Sequence, residues 1–307
     1  MIANPALSGI PLVLGGNVFG WTADHDASFE VLDAYYENGG RMIDTADVYS
    51  AWVPDHTGGE SERVIGAWLK ARGVRKHMRI HTKTGMLGGK ELYEPARVLA
   101  SLDASLERLQ TDYVDLYYAH RDYDELPVSD IVAAFDGAAK SGKVRALGAS
   151  NFTAERFGAA LDAATAHGAT PFTVLQNQYN LVHRADYGSD LQALCAEHGV
   201  TMLPFYSLAA GYLTGKYRDR TDLAGKARGS TVKNYLEKGP AVLKAMDPIV
   251  KDLEATHAQV ALAWLLEQPG IAAPISSATT ADQVDDLIEM LELELSDAQL
   301  AALTEAA

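Results

Sequence analysis

Short apolar runs alternate with amphipathic segments along the chain, and most of the runs end abruptly in polar or ionisable residues. The first run is Leu12-Val13-Leu14-Gly15-Gly16, leading into Asn17-Val18-Phe19-Gly20-Trp21. Phe29, Leu32, Tyr35 and Tyr36 then fall at helical spacing over residues 26–38, and Gly39-Gly40 ends that helix. Met42-Ile43 is a second short strand that turns polar at once, in Asp44-Thr45-Ala46-Asp47-Val48-Tyr49. A polar loop over residues 50–59 carries Trp52, and Val64, Ile65, Trp68 and Leu69 mark a helix over residues 60–72. The run over residues 78–83 ends in Lys83, before the glycine-rich loop 85–89.

The same alternation predicts a helix opened by Pro95 and running to about residue 110. A strand over residues 113–118 then ends in Ala119-His120. The helix 129–141 precedes a strand over residues 144–148, which ends in Ala149-Ser150-Asn151. The helix 153–167 precedes a strand over residues 173–175, which ends in Gln176. The helix 190–198 precedes a strand over residues 201–205, which ends in Tyr206-Ser207. A long loop and two helical segments lead to a last strand over residues 271–275. About eight strand–helix units predict an α/β fold with a parallel sheet, closed as a (β/α)8 TIM barrel. No break in composition marks a linker, so residues 1–307 are expected to form one domain.

In such a barrel all C-terminal strand ends open on one pocket. Asp44, Tyr49, Lys83, His120, Asn151, Gln176 and Tyr206, far apart in sequence, are therefore expected to converge. Their chemistry is coherent. A tyrosine hydroxyl is a weak acid, with an ordinary pKa of about 10. A lysine ammonium beside it favours the phenolate and is expected to lower that value, while Asp44 would keep the lysine charged and oriented. A histidine can orient a carbonyl oxygen. The set amounts to a proton donor aimed at a developing alkoxide.

Composition narrows the partners. A formal net charge of −15 argues against nucleic acid or an anionic membrane. The single cysteine, Cys195, sits in an apolar helical run, rules out an intrachain disulfide framework and fits a reducing cytosol. The first residues lack the basic and apolar pattern of a signal peptide, and no apolar run nears the ~20 residues that span a bilayer. A cytoplasmic location is expected. There is no Gly-x-Gly-x-x-Gly after the first strand, so the usual dinucleotide fingerprint is missing.

The segments carrying this chemistry resemble the aldo-keto reductase superfamily. Asp44-Thr45-Ala46-Asp47-Val48-Tyr49 is similar to its first active-site motif. Thr82-Lys83-Thr84, Asp115-Leu116-Tyr117-Tyr118-Ala119-His120 and Gly148-Ala149-Ser150-Asn151-Phe152 are similar to the next three. The resemblance runs over about residues 12–291 and is nearest to the bacterial, aryl-alcohol-dehydrogenase-like and potassium-channel-β-subunit-like branch. It implies reduction of a small carbonyl substrate with NADPH, and possible use of NADH. It makes Asp44, Tyr49, Lys83 and His120 the catalytic residues, with Tyr49 as general acid. It also implies that Ser150, Asn151 and Gln176 bind the nicotinamide carboxamide and that Tyr206 stacks on the ring. Gly16, Asn17, Ser207, Leu208, Ala209, Ser277, Thr279 and Gln283 would complete the cofactor site.

Gly211-Tyr212-Leu213-Thr214-Gly215-Lys216 resembles the family's pyrophosphate loop. It opens a basic stretch containing Lys216, Arg218, Arg220, Lys226, Arg228 and Lys233, from which Lys216 and Arg228 are expected to clamp phosphate. Two features depart from the family pattern. Leu208-Ala209-Ala210 stands where a proline is common, and Thr279-Thr280 stands where many NADPH-selective members carry Arg or Lys. Both nicotinamide cofactors are therefore expected to bind, with a modest preference for NADPH. Trp21 and Trp52, in loops after strand ends, are candidates for an apolar wall against the substrate.

Two other readings compete. A cofactor-binding regulatory or redox-sensing subunit would keep the same four residues with little turnover. Metal-dependent hydrolysis would need His81, His120 and carboxylates as ligands, with no other metal site suggested. Lys83 on the same strand face as His81 would repel the metal.

Overall fold

The structure, a computed structural model, describes residues 4–307. Eight strands alternate with helices as the sequence pattern predicts: β1 (Val13–Gly15), β2 (Met42–Asp44), β3 (Arg79–Thr84), β4 (Leu116–Ala119), β5 (Leu147–Ser150), β6 (Phe172–Gln176), β7 (Thr201–Met202) and β8 (Ile275–Ser276). Neighbouring strands in sequence are neighbours in the sheet and all pair in parallel, with β8 beside β1. The remaining gap, between β7 and β8, is closed by a parallel bridge between Met202 and Ile271. Bonds from Met202 N–H to the Gly270 carbonyl and from Ile275 N–H to the Pro204 carbonyl, both 2.9 Å, support it. The result is a (β/α)8 barrel.

Helices α1 (His25–Glu37), α2 (Glu60–Arg72), α3 (Pro95–Leu109), α4 (Val128–Lys140), α5 (Ala154–His167) and α6 (Ser189–His198) follow the first six strands. The long connection after β7 holds α7 (Gly229–Val232), α8 (Gly239–Asp252) and α9 (His257–Leu266). After β8 come α10 (Ala281–Glu289), which packs against α1 to close the helical ring, and α11 (Asp297–Glu305).

Two strands differ from the sequence expectation for one reason. The runs 201–205 and 271–275 each contain a proline, Pro204 and Pro274, which has no N–H to give a ladder. Regular pairing therefore stops at Met202 and starts only at Ile275. β5 is displaced toward its polar end: Val144 makes only an isolated bridge to Val114, and pairing continues through Ser150.

Period-two alternation sorts the side chains into two cores. Leu14, Ile43, Tyr117, Leu147 and Leu175 point outward into the large cluster shared with the helices. Val13, Met42, Leu116, Tyr118, Ala146 and Val174 point inward and fill the barrel. One further step along their strands places Asp44, His120 and Gln176 on the inside, above that apolar plug, and two steps beyond Ala146 place Ser150 there. Lys83 lies inward in the same way, between the outward Thr82 and Thr84. The plug is tight: a Cβ on Gly148 would lie 2.4 Å from the Tyr118 ring, so β5 needs glycine there.

Candidate active site

The inward ends of β2 and β3 carry a buried ion pair. Lys83 Nζ donates to Asp44 Oδ2 at 2.6 Å, to the Thr45 carbonyl at 2.8 Å and to Tyr49 Oη at 2.9 Å. All three ammonium donors are thus used, and the side chain is completely buried. Tyr49 stands on the turn after β2, and its hydroxyl donates to Asp44 Oδ2 at 3.2 Å. Asp44 Oδ1 accepts from Gln176 Nε2 at 2.8 Å, so the carboxylate is held from three sides. His120 closes the group, with its ring centroid 6.1 Å from that of Tyr49.

Burial dominates the electrostatics. It raises the Tyr49 hydroxyl well above the ordinary tyrosine range, and the Asp44 carboxylate adds to the rise. Sequence reasoning expected the lysine to lower this value. A dry site and an acceptor carboxylate outweigh the ammonium, so the resting tyrosine keeps its proton. Burial also lowers Lys83, with Asp44 pulling the other way. His120 is held neutral, first by burial and then by Lys83 and Arg121. Its Nδ1 is buried with no hydrogen-bond partner among the described residues.

Tyr49 and His120 open onto a cavity of about 600 Å3, within the usual range for small-molecule sites. One wall is the turn after β7. Tyr206, Ala209, Ala210 and Gly211 all have positive φ there, at 51°, 49°, 57° and 96°. At the three non-glycine positions such strain persists only where surrounding bonds impose it. Here Ala209 N–H donates to the Tyr206 carbonyl at 2.7 Å, and Asn180 Nδ2 donates to the same oxygen at 2.8 Å. The strained turn leaves Tyr206 39% exposed.

Lys216, Lys226 and Arg228 also line the cavity. Burial lowers Arg228, while burial and the two neighbouring cations lower Lys216. Among the described residues none of the three has a carboxylate within ion-pair distance. Unpaired cations beside a tight turn, with Lys216 and Arg228 partly desolvated, can hold an anionic group such as a phosphate.

Comparison with known proteins decides the class. The model of the aldo/keto reductase family matches residues 11–307. The chain belongs to the aldo/keto reductase family. It is 30% identical over 330 residues to the protein Tas of Escherichia coli, spanning 98% of this chain and 94% of that one. It is 31% identical over 300 residues to the uncharacterized oxidoreductase YrpG of Bacillus subtilis, spanning 92% and 88%. It is 28% identical over 303 residues to an aryl-alcohol dehydrogenase [NADP(+)] of Phanerodontia chrysosporium, spanning 92% and 77%. This aldo/keto reductase is therefore an oxidoreductase of a family that reduces carbonyl groups and generally uses NAD(P)H.

Most residues singled out in the sequence border this same cavity. Asp44, Tyr49, His120, Ser150, Asn151, Gln176, Tyr206, Ser207 and Leu208 do so, as do Asn17, Gly211, Lys216, Arg228, Ser277, Thr279, Gln283 and Trp52. Lys83 lies beneath the floor and reaches it only through Tyr49 and Asp44. Gly16, Ala209 and Trp21 do not line the cavity. Gly16 is taken up in packing, its carbonyl accepting from Ser61 Oγ at 2.7 Å, and Gly15 lines the cavity instead. Ala209 is fully buried, and Ala210 takes its place in the wall. Trp21 stands behind Trp52, edge to face at 5.4 Å between centroids, with the Arg228 guanidinium 5.7 Å from its ring centroid.

Met86, Phe205, Tyr217 and Ala258 also line the cavity and were not singled out in the sequence. Met86 lies three residues beyond Lys83 in the same strand-end loop, where strand-end reasoning could have found it. Ala258 enters from α9, and no strand-end signal points to it.

Described residues include no helix long and apolar enough to cross a membrane.

Proposed function

We propose that this aldo/keto reductase reduces aldehydes or ketones to alcohols with NADPH, accepts NADH as well, and uses Tyr49 as general acid. The observation that carries the reading is the Tyr49 hydroxyl, bonded to both Lys83 and Asp44 at the cavity floor beside His120. A nicotinamide held by Ser150, Asn151 and Tyr206 would supply the hydride. Tyr49 passes the proton on Oη to the carbonyl oxygen. Lys83, 2.9 Å behind it, stabilises the tyrosinate this leaves, and Asp44 holds the ammonium in line. A neutral imidazole retains one N–H donor, so His120 can orient the carbonyl oxygen toward Tyr49. The exposed face of Tyr206, the polar side chains of Ser150, Asn151 and Ser277, and the cations Lys216 and Arg228 suit a flat, amide-bearing ring joined to phosphates. Purified protein mixed with NADPH or NADH and a panel of aldehydes and ketones tests the reading. One alcohol is expected per cofactor oxidised, and no carbonyl-dependent oxidation across the panel would end it.

Two details follow. Thr279 faces the cavity, whereas Thr280 caps α10, its Oγ1 accepting from Gln283 N–H at 3.3 Å. Thr279→Arg should tighten NADPH binding about tenfold, because a guanidinium binds a ribose phosphate more strongly than a hydroxyl does. NADH binding should stay the same; equal shifts for both cofactors, or none, would place the phosphate elsewhere.

Trp52 is 49% exposed at the cavity mouth, with its ring 6.2 Å from that of Tyr49. Trp52→Ala should lower kcat/KM for benzaldehyde-type substrates about tenfold, the scale of a lost aromatic contact and its buried area. Short aliphatic aldehydes should be little affected. Equal losses for both classes would contradict a substrate-facing wall.

A further inference from the structure

Tyr49 stands on a turn, and its distance from Lys83 is only as well defined as that turn's seat on β3. The seat is made at Asp47, two residues before Tyr49. Asp47 N–H donates to the Lys83 carbonyl at 3.2 Å, and Asp47 Oδ2 accepts from Thr84 Oγ1 at 2.7 Å. One residue thus grips β3 at Lys83 through the main chain and at Thr84 through the side chain. We propose that Asp47 is a positioning residue that sets Tyr49 against Lys83 by locking the β2–α2 turn to β3. The proposal rests on the role given to Tyr49 and Lys83 above, and Asp47 itself touches no reacting atom.

The lock has an uncommon chemistry. Asp47 is 3% exposed, and its Oδ1 is buried with no hydrogen-bond partner among the described residues. Several charged or titratable groups face it. β3 brings Lys83, α2 brings Glu62, α3 brings Arg108 and β4 brings Tyr117; the flanking loops bring Tyr93 and Tyr123. Neither cation is free to pair with it. Arg108 Nε is committed to Glu62 Oε2 at 2.7 Å, and Lys83 Nζ to Asp44 at 2.6 Å. Glu62 in turn accepts from Thr82 Oγ1 at 2.6 Å, so its charge is fixed on the same side of β3 as Asp47. An ionised Asp47 would leave one oxygen without a donor in a dry site, facing another carboxylate. Burial, with Glu62 adding and Thr84 opposing, pushes its carboxyl up to about 7.

The pH consequence has a definite sign. The folded value lies above the 3.8 of a free aspartate, so the folded state binds the extra proton between those two values. The neutral lock is complete at low pH, and stability falls as pH rises through about 7 and then levels off.

Three variants of the full chain test the proposal: Asp47→Ala, Thr84→Val and Asp47→Asn. Each is followed by kcat, by cofactor Kd, by thermal midpoint against pH and by the 13Cζ resonance of Tyr49. Asp47→Ala and Thr84→Val break the side-chain grip. Both should lower kcat about tenfold or more, since small misplacements of a reacting group cost that much. Cofactor Kd should hold, and the Tyr49 resonance should move. Thr84→Val removes only a hydroxyl and serves if Asp47→Ala fails to fold. Asp47→Asn keeps an acceptor for Thr84 and cannot ionise, so it should restore kcat and the Tyr49 resonance and lose the stability inflection near pH 7. Wild-type kcat with an unmoved Tyr49 resonance in the first two variants would overturn the lock. An inflection retained in Asp47→Asn would overturn its chemistry. Failure of the wild type to reduce any carbonyl would instead strike the reductase reading, and the resonance and stability profiles, which need no turnover, would still decide the lock.

Discussion

Tyr49→Phe is expected to lower kcat for carbonyl reduction by about 10²–10⁴-fold, the range of positioned acid catalysis, while cofactor binding holds. The substitution deletes one oxygen and its proton and keeps the ring. The ring keeps its T-shaped packing against His120 and Trp52, so the cavity's shape survives. Lys83 keeps its bonds to Asp44 and to the Thr45 carbonyl, which leaves the ion pair beneath the floor in place. The change should therefore appear in kcat, with NADPH and NADH dissociation constants close to wild type. Near wild-type turnover in Tyr49→Phe would remove Tyr49 from the proton transfer.

Lys83→Met is expected to act on both rate and stability. The side chain is fully buried, and its loss strands the Asp44 carboxylate, whose remaining side-chain donors are Tyr49 and Gln176. Removing one member of a buried pair costs about 3–5 kcal/mol because the other is left uncompensated. Turnover should fall with it, since no cation remains to stabilise the tyrosinate. The double variant Lys83→Met/Asp44→Asn separates the effects. It should recover much of the lost thermal stability by removing the stranded charge, and recover none of the turnover. If the double variant regained turnover as well, Lys83 would matter only for folding. Full turnover in Lys83→Met alone would end the coupling between Tyr49 and Lys83.

The barrel was legible because its signal is repetitive. Each apolar run is short, each is followed by a segment of helical spacing, and the same pattern recurs to the end of the chain. The floor of the cavity was legible for a related reason. Asp44, His120 and Gln176 each stand two positions beyond an inward apolar residue, and a strand that alternates must point them the same way. Physical context explains what was not legible. A lysine beside a tyrosine reads as a lowered hydroxyl pKa, but burial reverses the sign, and burial is a property of the packed site. Pro204 and Pro274 shorten β7 and β8, although the apolar runs around them read as full strands. The bond from Gln176 to Asp44 joins residues 132 positions apart, and only closure of the barrel brings them within reach. Asp47 reads as one more polar residue in a motif; its grip on Thr84 and its orphaned oxygen exist only once α2 and α3 cover β3.

Isotope tracing tests hydride transfer and protonation most directly. NADPH deuterated at the transferable position of its nicotinamide ring is mixed with the protein and an aromatic aldehyde, and the alcohol is examined by mass and NMR. Reduction with Tyr49 as acid predicts one deuterium on the carbinol carbon, none gained there from deuterated solvent, and a loss of product in Tyr49→Phe that matches its loss of kcat. Alcohol without the label, or label transfer undiminished in Tyr49→Phe, would contradict it.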